Sequence, residues 1–115
     1  MDEDTALDLC GELPSAELTH PFGFETAVYK VRGKMFAFLP LDAPHPSITV
    51  KSDPQDAAEL VREHGAIAPG YHMNKRHWIT VTLDEELPEG LVEELIRESY
   101  RLVILTLPKA RRPVA

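Results

Sequence analysis

Cysteine occurs once in the 115 residues, as Cys10. The chain can therefore form no internal disulfide, and a lone thiol fits a reducing compartment such as the cytoplasm. No apolar run is long enough for a membrane span: the longest uncharged one, Leu102 to Pro108, falls far short of it. The opening Met1-Asp2-Glu3-Asp4 is acidic and lacks the apolar stretch of a signal peptide. Gly23, Gly33 and Gly70 are scattered and do not have the spacing of a phosphate-cradling loop. No serine sits in a nucleophile elbow. Ser99 falls on the apolar stripe of the last helical segment, where a small hydroxyl is expected to bond back to its own helix. His72 and His77 lie five apart, a spacing that suits neither a helical pair nor a zinc knuckle, and Cys10 is remote in sequence. Acid pairs such as Glu93-Glu94 belong to a solvated helix face. The expectation is a protein that is not an enzyme and that needs no metal or cofactor.

What the sequence does contain fits one globular domain over residues 1–115, with residues 113–115 as a frayed tail. Hydrophobic residues make up 43% and charged residues 27%, enough apolar mass for a single core. The net charge of −7 is unevenly spread. Residues 1–19 carry six acids and no Lys or Arg, and residues 84–98 carry seven acids against Arg97 alone. The stretch from Val28 to Leu41 has no acid but holds Lys30, Arg32 and Lys34. Ile67 to Leu83 is likewise acid-free and holds Lys75, Arg76 and two histidines. A basic centre is thus hidden beneath an acidic total.

The local patterns alternate between helix and strand. Residues 3–11 read as a short helix closed by Gly11. Glu25 to Val31 and Lys34 to Leu39 read as a β-hairpin turning at Arg32-Gly33. Ser47 to Lys51 is a third strand, and Asp53-Pro54 opens a helix that Gly65 stops. Ala66 to Asn74 is irregular, with one short strand. Arg76 to Leu83 alternates throughout, and Pro88 starts a final helix whose apolar stripe is Leu91, Val92, Leu95, Ile96, Ser99, Leu102 and Val103, with Leu91, Leu95 and Leu102 expected to be buried against Ile79 and Val81. Arg111-Arg112-Pro113 reads as a frayed basic end. Three helices cannot cover both faces of such a sheet. The expected fold is α+β, two layers, with helices on one face of an antiparallel sheet and a partly open opposite face.

Alternation across Arg76 to Leu83 puts His77, Ile79, Val81 and Leu83 on one face, and Arg76, Trp78, Thr80 and Thr82 on the other. A large aromatic on an otherwise polar strand face marks a binding surface, unless the loop of residues 66–74 covers it. Lys30 and Lys34 in the hairpin and Lys51 at the end of the next strand would ring that face with cations. Cations around an aromatic suit phosphates and unstacked bases, and they suit an acidic protein partner equally.

The runs Val31-Arg32-Gly33-Lys34-Met35-Phe36-Ala37, Pro69-Gly70-Tyr71-His72-Met73-Asn74-Lys75-Arg76-His77-Trp78 and Ser99-Tyr100-Arg101-Leu102-Val103 resemble the MmcQ/YjbR family of bacterial proteins. Leu13-Pro14-Ser15-Ala16 followed by Pro21-Phe22-Gly23 is similar to that family's opening, except that Ser15 stands where the family has glycine. The likeness runs from about residue 5 to residue 110. It implies a fold grouped with the frataxin-like (CyaY-like) domains, helices on one side of an antiparallel sheet. It also implies a DNA-binding role, the family being described as carrying a double-wing motif. The residues assigned to the nucleic-acid or partner surface are Lys30, Lys34, Lys51, His72, Asn74, Lys75, Arg76 and Trp78. DNA is the expected partner, a protein-interaction module with an acidic partner is the alternative, and frataxin-like metal binding by the acidic first helix ranks below both. The location expected is cytoplasmic, with no membrane contact.

Overall fold

Carboxylates start the first two helices. Asp2 accepts the Thr5 N–H at 2.8 Å and opens α1 (Glu3–Glu12). Asp53 accepts the N–H groups of Gln55 and Asp56 at 2.9 and 3.4 Å, and with Pro54 in the first turn it opens α2 (Pro54–Glu63). The third helix, α3 (Leu91–Leu105), follows Gly90 at φ 82° and has no side-chain cap. Pro88 therefore does not start it; its carbonyl accepts the Leu91 N–H instead. The computed structural model describes residues 1–70 and 73–113. The strands are β1 (Ala16–Thr19), β2 (Thr26–Val31), β3 (Lys34–Pro40), β4 (Ser47–Lys51), β5 (Ile67–Pro69) and β6 (Trp78–Thr82). A short 3-10 turn, Lys109–Arg111, ends the described chain. Among the described residues no helix is long and apolar enough to cross a membrane.

The strands form one antiparallel sheet in the order β1-β2-β3-β4-β6-β5. The turn Arg32-Gly33 puts both central residues at positive φ, 51° and 81°, which matches the twist of a two-residue hairpin. Ser15 also lies in the left-handed region, at φ 60°, a conformation that glycine adopts without strain.

All three helices bury their apolar sides on the same sheet face. Ala6, Leu9 and Cys10 of α1, Ala57 of α2, and Val92, Ile96, Tyr100 and Val103 of α3 meet Tyr29, Val31, Phe36, Leu39, Ile48, Val50, Ile79 and Val81. Each fully buried large apolar side chain here stabilises the fold by about 1.5–3 kcal/mol relative to exposure. This is the expected two-layer α+β arrangement.

Four local readings need correction. The buried stripe of α3 is narrower than the expected one, keeping Val92, Ile96, Ser99 and Val103 of it. Val92, Ile96, Ser99, Tyr100 and Val103 are buried, whereas Leu91, Leu95 and Leu102 are only half-buried, because Leu91 and Leu95 face the seam with α2 rather than the sheet. Ala16–Thr19 forms an edge strand whose half-exposed pattern gave no alternation to read. The sixth strand begins at Trp78, not Arg76, because Asn74 builds a turn: its Oδ1 accepts the Arg76 N–H at 3.0 Å and its carbonyl accepts the His77 N–H at 3.0 Å. Arg111 and Arg112 do not fray. The Arg111 carbonyl accepts Arg32 Nε at 3.1 Å, and Arg112 donates to the carbonyls of Leu107 and Leu105 at the end of α3.

Ser99 corrects a fifth. Its hydroxyl leaves its own helix and bridges two strands, accepting the Lys51 N–H at 2.8 Å and donating to the Phe36 carbonyl at 2.6 Å.

Candidate functional site

Antiparallel strands alternate in direction, so residues far apart in sequence meet at one end of the sheet. The last residues of β2 and β4 and the first residues of β3 and β6 share such an end, as do the hairpin turn and the loop before β6. Here lie Lys30, Arg32, Lys34, Lys51, Lys75 and Arg76. The end of α3 joins them, because Lys34 Nζ donates to Thr106 Oγ1 at 3.2 Å and Arg32 reaches the carbonyl of Arg111. That contact brings the basic 3-10 turn with Lys109 and Arg111 to the same place. The opposite end carries the loops with Glu25, Asp42, Asp84, Glu85 and Glu86, with Arg62 in the last turn of α2.

On the sheet face away from the helices, Lys51 sits directly opposite Trp78. One register step inward, the hydroxyls of Thr49 and Thr80 meet at 2.8 Å. Lys30 lies on the same face, between Glu17 of β1 and Met35 of β3. Lys30, Lys51 and Trp78 are half-buried, and Val28 and Thr49 behind them are buried although no helix covers this face. The face is thus partly closed, and Trp78 presents part of its ring. Gly70 explains the close loop. A Cβ there would lie 2.6 Å from Trp78 Cβ, and the Gly70 N–H donates to the Trp78 carbonyl at 2.8 Å.

The sequence-assigned residues do not all share that face. Pairing of Val31 with Lys34 across the two-residue turn gives Lys34 the face of Val31, the helix side. A bulge then lets both Phe36 and Ala37 enter the core: Tyr29 pairs with Ala37 and Lys30 with Met35, leaving Phe36 unpaired on β2. Lys75 and Arg76 precede the strand and are exposed beside α2, and neither side chain has an ion pair or hydrogen bond among the described residues. Asn74 is spent on the turn. His72 lies outside the described residues. Lys30, Lys51 and Trp78 therefore share one end and one face of the sheet, while Lys75 and Arg76 stand at that end beside α2 and Lys34 lies on the helix side. Sequence reasoning missed Lys109 and Arg111, whose signal was the charge of the tail itself.

Among the described residues no three His, Cys, Asp or Glu side chains gather where a metal could sit. Ser99 is buried with both hydrogen bonds used structurally. Burial pushes the Cys10 thiol up to about 12, the opposite of an activated nucleophile. Tyr100 is also raised by burial, and its hydroxyl donates to the Pro14 carbonyl.

Comparison with known proteins follows the same outline. The YjbR family model matches residues 11–102. The chain is 44% identical over 106 residues to the uncharacterized protein YbdF of Escherichia coli O157:H7, covering 92% of this chain and 87% of that one. It is 31% identical over 106 residues to the uncharacterized protein YjbR of Escherichia coli K12, covering 92% and 90%. Among solved structures, a Deinococcus radiodurans protein with a DUF419 domain superposes with a TM-score of 0.89 at 42% identity, over 95% of this chain and 83% of that one. A Pseudomonas syringae protein superposes with a TM-score of 0.76 at 28% identity, over 89% and 98%.

Proposed function

This chain belongs to the YjbR family, and we propose that it is a non-enzymatic DNA-binding domain that holds the phosphate backbone against the basic end of its sheet. The observation that carries this reading is the gathering of cations at one end of an acidic molecule. Net charge alone would repel DNA. A seven-residue strand such as β3 spans roughly 20 Å, which is more than two Debye lengths of about 8 Å at physiological salt. A phosphate at the basic end therefore interacts mainly with Lys30, Lys51, Lys75 and Arg76 against the nearby Glu17 and Asp53, and only weakly with the acidic loops beyond. Trp78, half-buried opposite Lys51, supplies an apolar edge on which a sugar or an unstacked base can rest.

The test is a titration of labelled duplex and single-stranded DNA by fluorescence anisotropy at about 50 and 200 mM salt. Affinity should fall steeply with salt. Lys51→Ala should make the log–log slope shallower by about 0.9 for duplex, one phosphate's worth of released counterion. Trp78→Ala should weaken single-strand binding by about 1–3 kcal/mol and duplex binding little. Absence of salt-sensitive binding to either form removes the reading. A protein partner is the second reading, favoured by Phe22 and Phe24, which stand 72% and 85% exposed on the β1–β2 loop.

A further inference from the structure

We infer that the groove between α2 and the edge strand β5 binds a small organic anion with a flat apolar body. The groove has a volume of about 710 Å³, within the range of about 300–1,000 Å³ typical of small-molecule sites. Its walls come from Ala57, Ala58 and Val61 of α2 and from Pro69 of β5. Short side chains make those walls flat, so a ring can lie against them. Ala58 and Pro69 stay exposed because β5 has three residues and is the last strand of the sheet. Of α2's residues only Ala57 is buried, leaving Ala58 exposed and Val61 half-buried on the groove side.

Charge on α2 is segregated. Asp56, Glu59 and Glu63 line the opposite seam, toward α3, while among the described residues no carboxylate lines the β5 groove. In a chain with 19 acids against 12 Lys and Arg, an acid-free lining that ends in two cations is selective. Those cations are Lys75 and Arg76 at the mouth. The ion pairs of the described residues, His45–Asp84, Arg97–Glu93 and Arg101–Glu98, lie elsewhere and leave both unengaged. Their loop is held in place: Asn74 fixes the Arg76 backbone, and the His77 carbonyl accepts the Ser52 N–H at 2.8 Å just before α2. Asp53 already occupies the N–H groups of Gln55 and Asp56, so the anionic head rests on Lys75 and Arg76 and not on the helix terminus. An apolar cleft closed by paired cations recognises a ring bearing a carboxylate or a phosphate monoester. The site shares Lys75 and Arg76 with the DNA surface but none of Lys30, Lys51 and Trp78, and it does not depend on DNA being bound.

The experiment is an NMR titration of the full chain, isotope-labelled, with benzoate and with uridine monophosphate as the two sources of such an anion. Inorganic phosphate supplies the head alone and benzyl alcohol the body alone. Saturable shifts of the Ala57, Ala58 and Val61 methyls, half-complete at about 1 mM or below, are expected with benzoate, uridine monophosphate or both, and with neither control. The stronger ligand of the pair then fixes the head group as carboxylate or phosphate. Ala58→Phe, at an exposed position, should fill the groove and abolish the shifts while leaving the DNA titration unchanged. Lys75→Gln should weaken binding by about two- to fivefold, as for one exposed ion pair, and it serves if the phenylalanine variant does not fold. The inference is overturned by the absence of saturable shifts with both anions, by equal shifts with the controls, by shifts confined to Lys30, Lys51 and Trp78, or by binding that survives Ala58→Phe in folded protein. None of those outcomes touches the DNA reading, which has its own titration.

Discussion

Replacing Ser99 with alanine removes one oxygen atom and, on this structure, should cost far more than an ordinary surface change. β3 and β4 pair only at Ala37–Val50 and Phe38–Thr49. Toward the basic end their ladder opens, and the Ser99 hydroxyl fills the gap, receiving the Lys51 N–H at 2.8 Å and donating to the Phe36 carbonyl at 2.6 Å. Ser99 is 0% exposed, so water does not readily replace it. Each buried backbone group left unsatisfied costs about 1–3 kcal/mol, and two together cost about 3 kcal/mol, a large share of the roughly 5–15 kcal/mol that holds a domain folded. With an m value of about 1.5 kcal/mol per molar urea, that cost lowers the unfolding midpoint by about 2 M at unchanged m. Hydrogen exchange adds a local readout, because the Lys51 amide should lose protection ahead of its neighbours in β4. A midpoint within about 0.3 M of the parent, or a Lys51 amide as protected as before, would refute the reasoning, since the two strands would then be closing on each other without the hydroxyl.

Two further outcomes follow from single groups. Cys10 is fully buried and its thiol is pushed up to about 12 by burial, so a thiol reagent at pH 8 should label the native protein only as fast as it opens, and urea should accelerate labelling sharply; rapid labelling of native protein would remove Cys10 from the core. His45 is hydrogen-bonded to Asp84 Oδ2 at 2.8 Å, which raises its pKa, chiefly through that bond and then through the carboxylate charge. A raised folded value means that protonated His45 stabilises the fold below its ordinary range, and that this contribution is lost as pH rises through the folded value. Asp84→Asn should lower the His45 midpoint in an NMR titration, and His45→Gln should lower Tm slightly at acidic pH and leave it unchanged at pH about 8.

The parts of the fold written in local chemistry were legible without coordinates. Asp53-Pro54 announces a helix because a carboxylate can take orphan N–H groups and proline can occupy the first turn. Arg32-Gly33 between two alternating runs announces a hairpin, and Ile79 and Val81 announce a core face. The parts that failed were set by tertiary contacts. β1 exists because β2 offers it an edge, and Glu17, Leu18 and Thr19 carry no periodicity of their own. Val92, Ile96, Ser99 and Val103 of the expected α3 stripe are buried, but Leu91 and Leu95 line the seam with α2, which no periodicity within α3 distinguishes from the sheet. Arg76 followed the alternation in sequence but lost it in space, because Asn74 accepts the N–H groups of Arg76 and His77 in a turn before the ladder begins.

The basic end illustrates a different limit. Both acid-free stretches, residues 28–41 and 67–83, were visible in the charge pattern. Whether their cations cooperate depends on strand order, which no local pattern encodes. A crossover through α2 places β6 beside β4, and that alone brings Trp78 opposite Lys51 and sets Lys75 and Arg76 at the same end of the sheet as the hairpin turn. Had β5 taken the central position instead, Trp78 would sit at the sheet edge, one strand farther from Lys51, and the two basic stretches would be separated by about 5 Å more. At the interior of a sheet such a shift is small, but for a phosphate within one Debye length it changes which side chains can reach it at once. The same geometry explains why Lys34 parts from Lys30. A two-residue turn pairs residue 31 with 34, so positions 30 and 34 must face opposite sides, and a surface built from charge alone would have merged them. The cations that can act on one ligand are those sharing both an end and a face of the sheet, which is why the Lys51 slope, and not the sum of twelve basic residues, is the quantity that tests the DNA reading.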